Sequence, residues 1–454
     1  MGKSTSNDWE NRAIGKAEFN GLMAALGPYE QKPQIAIACS GGGDSMALAL
    51  LTDIWAKAHG GAATALIVDH GIRAESATEA KAVAEELSRH RIKSEILRHT
   101  GPRIGGDIQA AARNIRYELL TGWCAAKGYL HLAVAHHLED QAETVLLRLS
   151  RGSGVDGLAA MAPVVETRAL RIIRPLLQLP RAKLETTLER RKARHVDDPS
   201  NRDNAFARVR IRKLSAALAE EGMTPRRLAA TASNMARART AIEGDVAAVL
   251  ARTTVLFPQG FGRVSTDALQ RAPEEIALRA LSRLLMCVGG SDYTPRMIRV
   301  ERLYDWIRDG APSGGRTLSG CRVLPREDGL LVCREASAAR TSVPARGDVF
   351  WDGRFRMRFT ARARGEIRRL GGEGWRCAVT IAPELRNLPI PSVVRPSLPA
   401  IWESDRLRSV PHLGLFREKR LPLVRHPHRV VFSPRRPLAP ARFTLQKGEY
   451  TLSK

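Results

Sequence analysis

The chain is short of the features that define several protein classes. Its six cysteines, at positions 39, 124, 287, 321, 333 and 377, form no CxxC pair. That argues against a zinc ribbon, an iron–sulfur anchor or a disulfide scaffold and fits a reducing cytosol. No run approaches the ~20 continuous apolar residues needed to span a membrane. The opening MGKSTSNDWENRAIG has early acidic residues and no apolar stretch, so no secretory signal is expected. A cytoplasmic protein without a membrane partner is the expectation. Charge of one sign is in excess in only one part of the chain. Residues 1–150 carry 16 basic and 17 acidic groups (−1), whereas residues 151–454 carry 56 and 30 (+26), which together give the net +25. A near-neutral first third joined to a strongly basic remainder suggests small-molecule chemistry in one part and a polyanion, most plausibly nucleic acid, on the other. An Arg-rich bias on a solvated surface is the plainer alternative.

What is present is ordinary globular sequence, 44% hydrophobic and 26% charged over 454 residues, long enough for about two to four domains. Gln34–Cys39 reads as a short apolar strand that ends in Ser-Gly-Gly-Gly, and Ser45–Ala58 has helical apolar spacing. The order then repeats, with strands at 64–68, 93–97 and 129–135 and helices at 75–91, 108–127 and about 140–151. Four strand–helix units in succession imply an α/β fold with a parallel sheet covered by helices on both faces, since each crossover must return over the sheet. Ligands in such folds sit beyond the carboxyl ends of the strands. From Pro175 the sequence becomes helix-favouring, through 181–194, 206–218 and 224 to about 308. After a linker-like TSVPA at 341–345, Arg354–Thr360 and Arg376–Ile381 read as strands. The expected domains are 1–215, nucleotide-binding and catalytic; 216–340, mainly helical; and 341–454, a smaller basic α+β domain.

The turn Ser40-Gly41-Gly42-Gly43-Asp44-Ser45 lies where a strand meets a helix. Unpaired N–H groups and the positive end of the helix dipole make that an anion site, and glycines let the backbone approach an oxyanion closely. It is neither GxxxxGK[ST] nor GxGxxG. The string SGGGDS resembles the SGGxDS signature of the PP-loop ATP pyrophosphatases, which implies ATP cleaved between its α and β phosphates. Asp44 either positions Mg²⁺ or binds the loop backbone.

Four further segments resemble the bacterial tRNA(Ile)-lysidine synthetases. They are Val68–Arg73 with Ala74-Glu75-Ser76; Gln109–Arg113 with Arg116-Tyr117; Ala135-His136-His137-Leu138-Glu139-Asp140-Gln141-Ala142-Glu143-Thr144 leading to Arg148 and Arg151–Gly154; and Arg174–Leu177 followed by Asp198–Asn201, Arg208, Arg210 and Arg212. Arg113 and Arg116 share one helical face and suit phosphates or a nucleotide. His70 suits either a loop hydrogen bond or a substrate contact. Asp140 and Glu143 could hold Mg²⁺ or a lysine ammonium, with helix capping as the alternative. The family pattern HHxDDQAET has Asp where this chain has Glu139, whose carboxylate is displaced by one methylene, so Asp140 is the expected ligand.

The resemblance implies that a cytidine at the first anticodon position of isoleucine tRNA (anticodon CAU) attacks the ATP α-phosphate through its C2 oxygen. L-Lysine then displaces AMP at C2. It implies ATP and Mg²⁺ as cofactors, Ser40–Ser45 as the ATP loop, Asp44, Arg113, His136 and Asp140 as catalytic, and His70, Arg116, His137, Glu143 and Thr144 as substrate-binding. His136, His137 or a carboxylate would accept the proton from the lysine amine. No stable protein partner is implied, although a homodimer is compatible. Two other readings are a tRNA thiolase of the same fold, and a tRNA-binding protein that responds to ATP without catalysis. Cys39 at a strand end and Cys124 on a helix are poorly placed for sulfur transfer.

Overall fold

The computed structural model describes residues 9–69, 71, 76–99, 108–167, 170–196, 207–312, 314–359, 365–416, 419–421 and 428–439. These divide into two compact units, one up to Thr240 and one from Ala241 onward.

The first unit is built on a six-stranded sheet. Its strands are β1 (Gln34–Ala38), β2 (Ala62–Asp69), β3 (Lys93–Arg98), β4 (His131–Ala133), β5 (Val164–Glu166) and β6 (Arg171–Ile173), in the order β3-β2-β1-β4-β6-β5. All neighbours pair in parallel except the edge strand β5, which runs antiparallel to β6. The parallel α/β architecture expected from the alternating pattern is therefore present. The helices are α1 (Lys16–Ala24), α2 (Gly43–Ala58), α3 (Ser76–Arg89), α4 (Ile108–Lys127), α5 (Leu138–Leu149), α6 (Val155–Leu158), α7 (Arg181–Arg191) and α8 (Ala207–Glu220).

Successive side chains of a strand point to opposite faces, and in β1 both faces are buried. Ile35 and Ile37 join a core with Phe19 of α1, Met46 and Leu48 of α2, Val83 of α3 and Leu188 of α7. Ala36 faces the other way, into a smaller core with Leu66, Leu132, and Leu120 and Cys124 of α4. Each core removes apolar area from water on its own side of the sheet and so fixes the register of the strands between them. Strands β2 and β4 flank β1 on either side, which makes the carboxyl end of β1 the point where the winding reverses. A crevice opens there in such sheets.

The boundary between the units falls in a long helix, α9 (Pro225–Thr253). The second unit starts with a β-hairpin, β7 (Thr254–Phe257) and β8 (Phe261–Val264), inside the stretch that reads as continuously helical. The β-branched run Thr253-Thr254-Val255 and the turn at Pro258-Gln259-Gly260 override the surrounding helix preference. Then come α10 (Thr266–Gln270), α11 (Glu274–Gly289), α12 (Met297–Arg308), and β9 (Arg316–Leu318), β10 (Cys321–Arg326) and β11 (Gly329–Arg334), which complete a sheet with the hairpin. The remainder adds β12 (Val343–Pro344), β13 (Asp348–Trp351), β14 (Phe355–Phe359), β15 (Glu366–Arg369), α13 (Gly371–Ile381), β16 (Pro399–Glu403), β17 (Arg406–Val410), β18 (Leu415–Phe416), β19 (Lys419–Arg420) and β20 (His428–Phe432).

Two strand expectations resolve differently. Arg354–Thr360 contains β14, with Phe355, Met357 and Phe359 buried and Arg356 and Arg358 exposed, as alternation requires. Arg376–Ile381 is instead the end of helix α13, which buries Gly374, Ala378 and Val379 at spacings of four and one. That stretch is too short for alternation to be told from a helical stripe.

Candidate active site at the carboxyl edge of the sheet

The backbone leaves β1 at Cys39 and turns through the glycines into α2. Gly41 has φ +88°, and a Cβ there would meet Val83 Cγ2 at 2.3 Å, so only glycine fits. Its carbonyl accepts a hydrogen bond from Val196 N–H at 2.9 Å. The Ser45 hydroxyl is buried and donates to the Gly42 carbonyl at 2.9 Å while accepting from Ser40 N–H at 3.2 Å. Ser45 thus ties the bend together from inside. The Ser40 hydroxyl lies 3.3 Å from it, on an exposed residue. Gly42 stands at the N-cap of α2 without any side-chain cap, which leaves first-turn N–H groups for an anion.

The adjacent loop, from β4, brings His136 and His137 to the same edge, and α5 begins immediately after them. Asp140 accepts a hydrogen bond from His137 N–H at 3.1 Å, which caps the helix. The buried His137 ring lies among three carboxylates: Nδ1 is 2.8 Å from Glu139 Oε2, and Nε2 is 3.5 Å from Asp140 Oδ2 and 3.6 Å from Asp44 Oδ2. Burial works against its charge, but Asp44, Glu139 and Asp140 outweigh burial and push its pKa up to about 10. His137 is an imidazolium at neutral pH. Burial would by itself raise Asp44 and Glu139, yet the imidazolium holds both carboxyls below their usual range.

His136 has the opposite fate. Burial, with Arg174, Arg113 and Arg208 adding to it against the pull of Asp140, brings its pKa down to about 4. Its Nδ1 accepts from Arg174 Nε at 3.2 Å, which assigns the proton of the neutral ring to Nε2. Arg174 is itself buried and donates to the Ala162 carbonyl at 2.7 Å.

Glu143 lies one turn along α5 and is 3% exposed. Oε1 accepts from Arg212 Nε of α8 at 2.8 Å, and Oε2 has no hydrogen-bond partner among the described residues. A buried carboxylate oxygen left open is costly unless something fills it. Thr144 turns its hydroxyl back to the Asp140 carbonyl at 2.7 Å.

The structure thus brings Asp44, His136, His137, Asp140, Glu143 and the Ser40–Ser45 turn to one edge of the sheet. Arg113 and Arg116 are exposed on α4, where Arg113 lies over the Tyr117 ring at 5.1 Å. His70 and the segment 198–201 fall outside the described residues. Sequence reasoning gave Arg181 no role, and nothing in its spacing signals one. Its backbone N–H donates to Glu139 Oε2 at 3.1 Å, which ties α7 to the histidine loop. Glu139 therefore uses its extra methylene to reach both His137 and that N–H group. Among the described residues no set of three or more His, Cys, Asp or Glu is arranged to hold a metal.

Residues 15–218 match the family model of the PP-loop domain. A tRNA(Ile)-lysidine synthase of Ruegeria pomeroyi is 35% identical over 88% of this chain and 94% of its own. The enzyme of the same name from Wolbachia pipientis is 32% identical over 84% and 89%, and that from Rhodopseudomonas palustris 42% identical over 66% and 87%.

Proposed function

Because this chain belongs to the tRNA(Ile)-lysidine synthase family, and so is a PP-loop ligase that uses ATP to modify isoleucine tRNA, we propose that it joins L-lysine to C2 of the wobble cytidine through an adenylated base. The C2 oxygen attacks the ATP α-phosphorus and pyrophosphate leaves. The lysine amine then attacks C2, and AMP departs with the oxygen. What carries this reading is the meeting of two loops, since Asp44 of the glycine turn and Asp140 of the neighbouring loop both lie within 3.6 Å of His137 Nε2.

In this reading the first-turn N–H groups of α2 and Arg113 stabilise charge on the phosphates. Asp44 and Asp140 present hard oxygen donors that suit Mg²⁺, which typically takes one or two carboxylates and completes its shell with phosphates and water. When bound, the ion neutralises phosphate charge. The cationic His137 keeps both carboxylates ionised and aimed.

The proton acceptor for the lysine amine is narrowed by the same geometry. His137 already carries its proton, and the Nδ1 of His136 is covered by Arg174. A carboxylate remains, and Glu143, with Oε2 open, both receives the lysine ammonium and accepts the proton released as the amine turns nucleophilic. The neutral His136 offers Nε2–H as a donor toward substrate oxygen. Sulfur transfer is disfavoured because Cys39 and Cys124 are buried, and burial raises both thiols, Cys124 to about 12.

The test is incubation with ATP, labelled lysine and a panel of tRNAs, followed by nucleoside analysis. Pyrophosphate release that requires isoleucine tRNA, with lysine on the modified base and no sulfur donor present, is the expected result. ATP uptake without pyrophosphate, or turnover without lysine incorporation, would overturn the proposal.

A further inference from the structure

The basic second unit does not present its arginines uniformly. In β14 the exposed Arg356 and Arg358 lie 2.6 and 3.6 Å from Asp348 of β13, so much of their charge is answered locally. At the start of α12 the situation differs. Arg296, Arg299 and Arg302 are exposed and no acidic partner is found for them among the described residues.

Beside these arginines stands Tyr293, 84% exposed, with Met297 at 40% and Ile298 at 55%. An aromatic ring in water gives folding nothing, yet its backbone is held firmly. Ser291 Oγ accepts from Tyr293 N–H at 3.1 Å and donates to the Tyr293 carbonyl at 3.0 Å, closing a tight loop on itself. Asp292 pairs with Arg435, whose guanidinium lies 5.4 Å from the centroid of Phe350. Gly290, at φ +65°, packs so tightly on the Asp352–Gly353 turn that a Cβ would meet the Asp352 carbonyl oxygen at 2.3 Å. The loop is fixed on both sides and its aromatic ring is turned outward.

We infer that Tyr293, flanked by Met297, Ile298 and the free arginines of α12, is a stacking platform for an unpaired nucleotide of the bound tRNA. Unpaired bases stack on exposed aromatics, while neighbouring arginines take the backbone phosphates on either side. Asp292 and Asp305 are answered by Arg435 and Arg308, so Arg296, Arg299 and Arg302 outweigh Glu301 on this face, and its remaining charge complements a polyanion, the tRNA that this family modifies. Holding the backbone beforehand lowers the ordering cost of binding. This inference rests on the tRNA-modifying function stated above.

The experiment is tRNA affinity of the full chain measured over a salt series for the parent, Tyr293→Ala, Tyr293→Phe and the double variant Arg299→Ala/Arg302→Ala. Tyr293→Ala should weaken binding by about 5- to 100-fold with an unchanged salt slope, and Tyr293→Phe should restore it, because stacking needs the ring and not the hydroxyl. The double variant should reduce the magnitude of the salt slope by about 1 to 2. ATP affinity and thermal midpoint should stay at parent values in every case. Parent-like tRNA affinity in Tyr293→Ala overturns the platform while leaving the enzymatic reading intact. A concentration-dependent dimer that Tyr293→Ala dissolves also overturns it, since a second copy would then be the occupant. Failure of the parent to bind isoleucine tRNA would instead remove the function on which the platform depends.

Discussion

The two ends of the first unit's sheet carry almost the same side chains and do different things. At the amino edge, buried His131 at the start of β4 lies 2.9 Å from Glu30, and buried Arg171 at the start of β6 donates to the carbonyls of Pro28 and Gly27 at 2.9 and 3.0 Å. At the carboxyl edge, His137 sits among Asp44, Glu139 and Asp140, with Arg174 and Arg212 close behind. The amino-edge groups clasp the segment leading into β1. The carboxyl-edge groups leave an open carboxylate oxygen on Glu143 and an uncapped helix start beside them. Residue type does not separate a clamp from a site. What separates them is the end of a parallel sheet at which they stand.

The sharpest way to test that contrast is to remove one carboxylate from the carboxyl edge. Asp44→Ala should reduce turnover by about 10²- to 10³-fold or more with tRNA retention largely intact, as steady-state kinetics and filter binding would show. The mirror experiment is Arg171→Ala, which leaves a buried carbonyl pair and Glu30 short of a cation. It should cost about 3–5 kcal/mol of stability by denaturant unfolding, with turnover per folded molecule unchanged. A loss of turnover without a loss of stability in that variant would erase the distinction between the edges.

Acidity offers a subtler separation. The folded pKa of His137, about 10, lies above its ordinary 6.5. Its contribution to stability is therefore complete below about pH 6.5 and is lost as pH rises through 10. Glu30 is half-buried, which would raise it, but His131 and Arg171 hold it below its ordinary 4.5, so its contribution is present above that value and fades as pH falls through the depressed one. Asp44 and Glu139 fade on the same acid side. Thermal midpoints recorded from pH 6 to 10 should decline in the parent and decline less in His137→Gln, while Glu30→Gln should flatten the acid side only. The smallest effect belongs to Glu139→Asp, which withdraws the carboxylate from His137 and from Arg181 N–H. A cost of about 1 kcal/mol, with turnover within about tenfold of the parent, is expected from unfolding and kinetics together.

How much of this was legible in the sequence depended on whether the signal was local. The strand, glycine turn and helix around residues 34–58 were, because apolar runs, glycines and helical spacing are written in consecutive residues. The hairpin at 254–264 and helix α13 were not, since burial against distant strands settled segments whose own preferences were ambiguous. The histidine pair shows the same limit within the site. Two identical neighbours in one motif are pushed in opposite directions because one faces carboxylates and the other arginines; Glu139 and Asp140 stand in the motif itself, but Asp44, Arg113, Arg174 and Arg208 come from elsewhere in the chain. The open oxygen of Glu143 was likewise invisible, since it depends on how Arg212 of α8 docks against it.

The inward hydroxyl of Ser45 carries a consequence for how nucleotide is received. Because it laces the bend to itself through Gly42 and Ser40, the turn proposed to seat the triphosphate is held by its own hydrogen bonds. Under the proposed function, a nucleotide arriving there meets a preformed mould rather than a chain it must first organise, and its affinity goes into alignment of the phosphorus under attack.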